Sequence, residues 1–146
     1  MYVTRATLKD LELLTPLFDA YRQFYKCDAD LEGAREYLKA RLERDEVTVF
    51  LALEDRRALG FALCYSTFTS VAMKPLVILN DLYTIQEARG RGVASALIAQ
   101  CAEFARTTGA GVLRLRTAND NETAQRVYER VGFKRDTVYL TYDLSL

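Results

Sequence analysis

Leu79-Asn80-Asp81-Leu82-Tyr83-Thr84-Ile85-Gln86-Glu87-Ala88-Arg89-Gly90-Arg91-Gly92-Val93-Ala94 is the stretch whose reading decides the fold. It reads as a strand, a short polar turn, and a glycine-interrupted loop that runs straight into an amphipathic helix. Backbone N–H groups at such a junction have no partner inside the helix, and the helix dipole adds partial positive charge there. Gly90 and Gly92 let a bulky anion approach the main chain, which suggests a phosphate or pyrophosphate site. The same glycines also suit a plain strand-to-helix connection.

Spacing separates the phosphate-binding readings. A P-loop needs Gly-x-x-x-x-Gly-Lys-Ser/Thr, and this loop has no lysine. A dinucleotide fingerprint read from Gly90 ends on Ser95 rather than Gly or Ala, with no acidic ribose ligand at the right distance. The remaining pattern, Arg/Gln-x-x-Gly-x-Gly/Ala, is met by Arg89-Gly90-Arg91-Gly92-Val93-Ala94. It resembles the pyrophosphate loop of the GNAT superfamily of N-acetyltransferases. Downstream, Asn121-Glu122-Thr123-Ala124-Gln125-Arg126-Val127-Tyr128-Glu129-Arg130-Val131-Gly132-Phe133 is similar to that family's Asn-x-x-Ala-x-x-x-Tyr-x-x-x-Gly-Phe helix. The two blocks occur in the family's order, and the resemblance runs from about Ile78 to Phe133.

The bulk composition bounds the chemistry. At 146 residues the chain is long enough for one domain, 1–146, with a core that needs no disulfide or metal. Lys plus Arg and Asp plus Glu number 20 each, which weighs against a nucleic-acid partner. Cys27, Cys64 and Cys101 have no metal-like spacing. With no signal-like start and no long apolar run, a cytoplasmic protein without membrane attachment is expected. There is no histidine, which removes the commonest general base, any Ser-His-Asp arrangement and most zinc sites. Acyl transfer from a thioester meets that constraint, because the activated group arrives with the cofactor.

Along the chain, Tyr2–Ala6 reads as a strand. Thr7 and Asp10 make a capping box before a helix carrying Leu11, Leu14, Phe18, Tyr21 and Tyr25, in which Pro16 should kink the helix or shift its start. Leu31, Ala34, Leu38 and Leu42 mark a second helix capped by Asp28 or Asp30. Val47 to Leu53 and Leu59 to Tyr65 alternate as a hairpin about the turn 54–57, and Leu76–Ile85 continues the sheet. A helix with Val93, Leu97, Cys101, Phe104 and Ala105 inward follows the loop. A strand over Val112–Thr117, a helix capped at Asn119 and ended by Gly132, and a final strand over Val138–Leu144 complete the order. The layout β-α-α-β-β-β-α-β-α-β is α+β, with a mixed, mostly antiparallel sheet. The resemblance implies the GNAT-like three-layer form of it, a central sheet flanked by helices.

The resemblance also implies roles. The cofactor is acetyl-CoA, its pyrophosphate held by the backbone of Arg89, Gly90, Arg91, Gly92, Val93, Ala94 and Ser95. Leu82, Tyr83 and Thr84 pair with its amide-bearing arm, and Asn121 hydrogen-bonds that arm. Tyr128 protonates the departing thiolate. Asn80 stands where many family members have a catalytic glutamate, so the base is either Asp81 or a water chain ending in bulk solvent. Residues 80 and 81 are expected on opposite sheet faces. Tyr21, Phe24, Tyr25, Asp28 and Asn80 are expected to bind a cationic acceptor, through cation–π contact and charge attraction. Tyr65 and Tyr83 are further lining candidates.

These readings point to acetyl transfer onto the primary amine of a small molecule such as a polyamine, an amino acid or an amino sugar. Two alternatives stand beside it. One is acetylation of proteins or peptides; the other is a non-catalytic acyl-CoA-binding sensor, which Asn80 keeps open. The apolar terminal segment 138–144 also leaves a homodimer open.

Overall fold

Alternating apolar residues and short turns in the first four-fifths of the chain build one sheet, as the computed structural model shows over all of residues 1–146. The residues group into two compact units, Met1–Arg116 and Thr117–Leu146. The first holds β1 (Tyr2–Arg5), α1 (Leu11–Phe24), α2 (Leu31–Glu43), β2 (Thr48–Glu54), β3 (Arg57–Thr69), β4 (Lys74–Thr84), α3 (Val93–Thr107) and β5 (Leu113–Arg114). The sheet runs β1-β2-β3-β4-β5, with the first four strands antiparallel and β5 parallel to β4.

Val47, Val49, Leu51 and Leu53 meet Phe61 and Leu63 on one sheet face, under Leu14, Leu17 and Phe18 of α1 and Ala34 and Leu38 of α2. Burying the larger of these side chains is worth about 1.5–3 kcal/mol each. On the other face, α3 buries Val93, Leu97, Ile98, Cys101 and Ala105, and Phe104 meets Phe50 edge-on with ring centroids 6.2 Å apart. These are the three layers expected.

Local chemistry sets the ends. The Thr7–Asp10 capping box forms, around a short 3-10 turn that leads into α1. Pro16 neither restarts nor ends α1; the helix runs through it. Proline removes the bond to the Glu12 carbonyl, and the Thr15 hydroxyl donates to the neighbouring Leu11 carbonyl at 2.7 Å. Asp30, rather than Asp28, caps α2 through the Gly33 N–H at 2.9 Å. Between β3 and β4 the chains approach so closely at Gly60 that any Cβ there would strike the Tyr83 carbonyl. Gly60→Ala is therefore expected to cost about 2 kcal/mol, measurable as a lowered midpoint in urea unfolding.

The second unit holds α4 (Glu122–Val131), closed by Gly132 at φ 109°. Its cap is Asn121, whose Oδ1 accepts from the Ala124 N–H at 3.2 Å, and not Asn119. The strand expected over Val138–Leu144 has no ladder. The Asp136 carboxylate instead accepts from the N–H groups of Val138 (2.8 Å) and Tyr139 (3.3 Å), a local turn that competes with strand pairing. The strand expected over Val112–Thr117 pairs only at Leu113–Arg114. No helix is long and apolar enough to cross a membrane.

Candidate active site

Two features of the first unit form an anion cradle and an open strand edge. Gly90 and Gly92 hold φ of 76° and 81°, and no atom lies within 4 Å of where a side chain would start at either. Gly92 is the residue before α3 and offers no side-chain cap. The first α-helical bond there runs from the Ala96 N–H to the Gly92 carbonyl at 3.0 Å, so the N–H groups of Val93, Ala94 and Ser95 precede the ladder. The Arg91 guanidinium grips Glu54 at 2.7 and 2.9 Å and holds that carboxyl below its ordinary range, and the Arg91 N–H donates to the Ala88 carbonyl at 3.4 Å. Arg89 turns back to the Thr84 carbonyl at 3.4 Å.

Beside the cradle, β4 loses its parallel neighbour. Pairing with β5 stops at Ile78–Arg114, so the β5-facing edge of Leu82, Tyr83 and Thr84 has no strand against it. Its other edge pairs with Ala62, Phe61 and Gly60. An extended amide-bearing chain can pair with such an edge.

The register of β3 against β4 corrects one expectation. Leu63 pairs with Asp81, yet Cys64 pairs with Leu79, so Asn80 is an extra residue in β4. This bulge breaks the alternation that would send residues 80 and 81 to opposite faces. Their side chains meet: Asn80 Nδ2 donates to Asp81 Oδ1 at 2.9 Å. Asp81 is only 5% exposed and also accepts from the Tyr21 hydroxyl of α1. Burial raises its pKa above the ordinary carboxylate value, and the bonds from Tyr21 and Asn80 offset part of that rise.

Aromatic residues wall this carboxylate. Tyr21 meets Tyr25 (5.1 Å between centroids), Phe61 (5.8 Å) and Tyr83 (6.5 Å), all edge-on. Tyr65 lies on the same face as Asp81, and its hydroxyl is 2.7 Å from that of Tyr37 on α2. Tyr37 was not among the residues the sequence singled out. It sits beside the Ala34–Leu38 stripe, and its only sequence signal is Arg41 four residues on, whose guanidinium lies 5.3 Å from the Tyr37 ring centroid.

Phe24 and Asp28 make their contacts elsewhere in the first unit. Phe24 is exposed and its ring contact is with Tyr25. Asp28 sits in the exposed turn between α1 and α2, where its carbonyl accepts from Arg22. That turn is organised by buried Asp19, which accepts from the Asp30 N–H at 2.9 Å and from Gln23. In the second unit, Asn121 is committed as the α4 cap, and Tyr128 is half-buried with its ring edge-on to Phe133 at 5.9 Å.

Comparison with known proteins agrees with this geometry. The model of the acetyltransferase (GNAT) family matches residues 14–133. An uncharacterized N-acetyltransferase of Bacillus subtilis, YhfO, is 38% identical over 146 residues, covering 100% of this chain and 98% of that protein. A crystal structure of a probable acetyltransferase superposes with a TM-score of 0.95 at 42% identity, covering 100% of this chain and 98% of the other. An aminoglycoside N(6')-acetyltransferase type 1 of Salmonella typhimurium is 28% identical over 118 residues, 79% of each chain. Sequence motifs, sheet order and relatives thus converge, and this chain belongs to the GNAT superfamily of N-acetyltransferases.

Proposed function

We propose that this enzyme moves the acetyl group of acetyl-CoA to the primary amine of a small molecule, with Asp81 taking the proton that the ammonium must lose. The observation that carries this is a buried carboxylate at the β4 bulge, beside the aromatic cluster of Tyr21, Tyr25 and Tyr83. Acetyl-CoA, the donor its family uses, supplies an acyl group already activated as a thioester. The cradle fits it: the N–H groups of Val93, Ala94 and Ser95, at the open approach past Gly90 and Gly92, bind the pyrophosphate. The free edge of Leu82–Thr84 orients the arm. Tyr128 holds the proton for the departing sulfur, a role carried by the family motif on α4.

The wall of tyrosines suits a cation, which the buried carboxylate also attracts. The Salmonella relative named for aminoglycosides supports a small-molecule acceptor. The three free thiols support a reducing, cytoplasmic setting, and the balanced charge supports no nucleic-acid partner. The exposed apolar residues Val138, Leu140, Tyr142 and Leu144 support a homodimer. The testing experiment is mass spectrometry of acetylated products after incubation with acetyl-CoA and a mixed panel of amines and peptides. Product confined to peptides would transfer the assignment to protein acetylation; tight acetyl-CoA binding without any product would favour a sensor.

Asp81→Asn has two expected effects. Turnover falls about tenfold, because water is left as the proton acceptor, and the acidic limb of the pH–rate profile attributable to Asp81 disappears. Stability moves the other way. A carboxyl whose folded pKa is raised favours folding below its unfolded value, and that contribution is lost as pH rises through the folded pKa. At pH 7 the variant is therefore expected to be more stable, by about 1 kcal/mol, or about 3 °C in Tm. A wild-type protein whose stability does not decline relative to the variant between pH 4 and pH 7 (about the range of carboxylate titration) would contradict the buried, ionising assignment.

A further inference from the structure

The hydroxyl pair of Tyr37 and Tyr65 has no part in the chemistry above, and packing does not need it. The Tyr37 ring is held without its oxygen, stacked on Phe18 at 5.7 Å and 12° and faced by the Arg41 guanidinium. Tyr65 stands on β3 opposite Ile78, on the same face as Leu63 and Asp81 and one diagonal step from Asp81. Two phenylalanines would pack as well here, with no polar atoms to satisfy. The oxygens nevertheless meet at 2.7 Å, and Tyr37 remains 38% exposed.

A pair of hydroxyls leaves capacity over. Only one proton lies between the two oxygens, so the pair keeps one O–H to donate and lone pairs to accept with. Burial and the Tyr37 bond push the Tyr65 hydroxyl pKa up, so Tyr65 keeps its proton at ordinary pH. A ligand hydroxyl, both donor and acceptor, satisfies such a pair. A second ammonium finds acceptors only, and meets the Arg41 charge nearby.

We propose that Tyr37 and Tyr65 form a recognition site for a hydroxyl of the acceptor, which makes the substrate an amino alcohol or amino sugar whose ammonium lies at Asp81. This rests on the amine-acceptor reading above and narrows its substrate class. Tyr37 and Tyr65 are specificity-determining residues in this scheme and take no part in the chemical step.

The test compares glucosamine with cyclohexylamine, a ring amine of similar size without hydroxyls, and with the diamine cadaverine. Both kcat/KM and, in the presence of CoA, calorimetric affinity are measured for wild type, Tyr65→Phe and Tyr37→Phe. Wild type is expected to prefer glucosamine by roughly tenfold or more, and each variant to bring that ratio close to one. Ratios are insensitive to a general loss of activity. Should Tyr65→Phe fold poorly, the more exposed Tyr37→Phe decides alone. A wild-type preference for cadaverine, or a glucosamine preference that survives in the folded variants, overturns the proposal. The expected affinity ratios without acetylated product from any amine would count against the acetyltransferase reading and leave the recognition site supported.

Discussion

Gly92→Glu is expected to weaken acetyl-CoA binding by more than a hundredfold, to the point where calorimetry at micromolar protein registers no heat. Three effects act together at this position. Gly92 holds φ of 81°, so any side chain there is strained. The space where its side chain would start is open, with no atom within 4 Å, so a glutamate folds without a clash and occupies the approach to the N–H groups of Val93, Ala94 and Ser95. Its carboxylate also sits at the positive end of α3, where it competes with a bound anion and repels it. Gly92→Ala separates these contributions: it shares the strain without the charge or the bulk, and is expected to lose about tenfold or less. Wild-type affinity in a folded Gly92→Glu protein would show that the pyrophosphate is bound elsewhere.

The glycine loop ahead of α3 was legible in the sequence because its signals are local. Gly90 and Gly92, the absence of a lysine, and an apolar helix immediately downstream all lie within a few residues of one another. Strand and helix order was legible for a similar reason, since alternation and helical spacing report which face of an element is apolar. What they do not report is a partner. The run Val138, Leu140, Tyr142, Leu144 alternates as well as β2 does, yet forms no ladder, because Asp136 turns the chain just before it. The β4 bulge was equally hidden. Neither Asn80 nor Asp81 is a glycine or a proline, and the extra residue becomes visible only once Leu63 and Cys64 are seen to pair with Asp81 and Leu79. The bulge in turn changes the chemistry, by bringing Asn80 onto the carboxylate that strict alternation separates from it. Tyr37 was missed because its partner Tyr65 lies 28 residues away, on another element.

Tyr128→Phe is expected to lower kcat about a hundredfold while leaving acetyl-CoA affinity unchanged. The substitution is well suited to the question. The Tyr128 ring packs edge-on against Phe133, and its carbonyl accepts from the N–H groups of Gly132 (3.1 Å) and Phe133 (3.0 Å), which closes α4. Phenylalanine keeps the ring and the main chain, so the loss reports the hydroxyl. A thiol of ordinary pKa, about 8.5, leaves less readily as a bare anion than when it is protonated, and a tyrosine at about 10 can hydrogen-bond the sulfur and give it a proton. A merely structural tyrosine would behave differently: its loss would lower Tm and raise the apparent Kd with little change in kcat. The variant also separates the enzyme from the sensor. If acetyl-CoA binding persists and product formation falls, the hydroxyl serves turnover. Equal rates for wild type and variant, with matched affinity, would remove Tyr128 from the chemistry and leave the sulfur to be protonated by water.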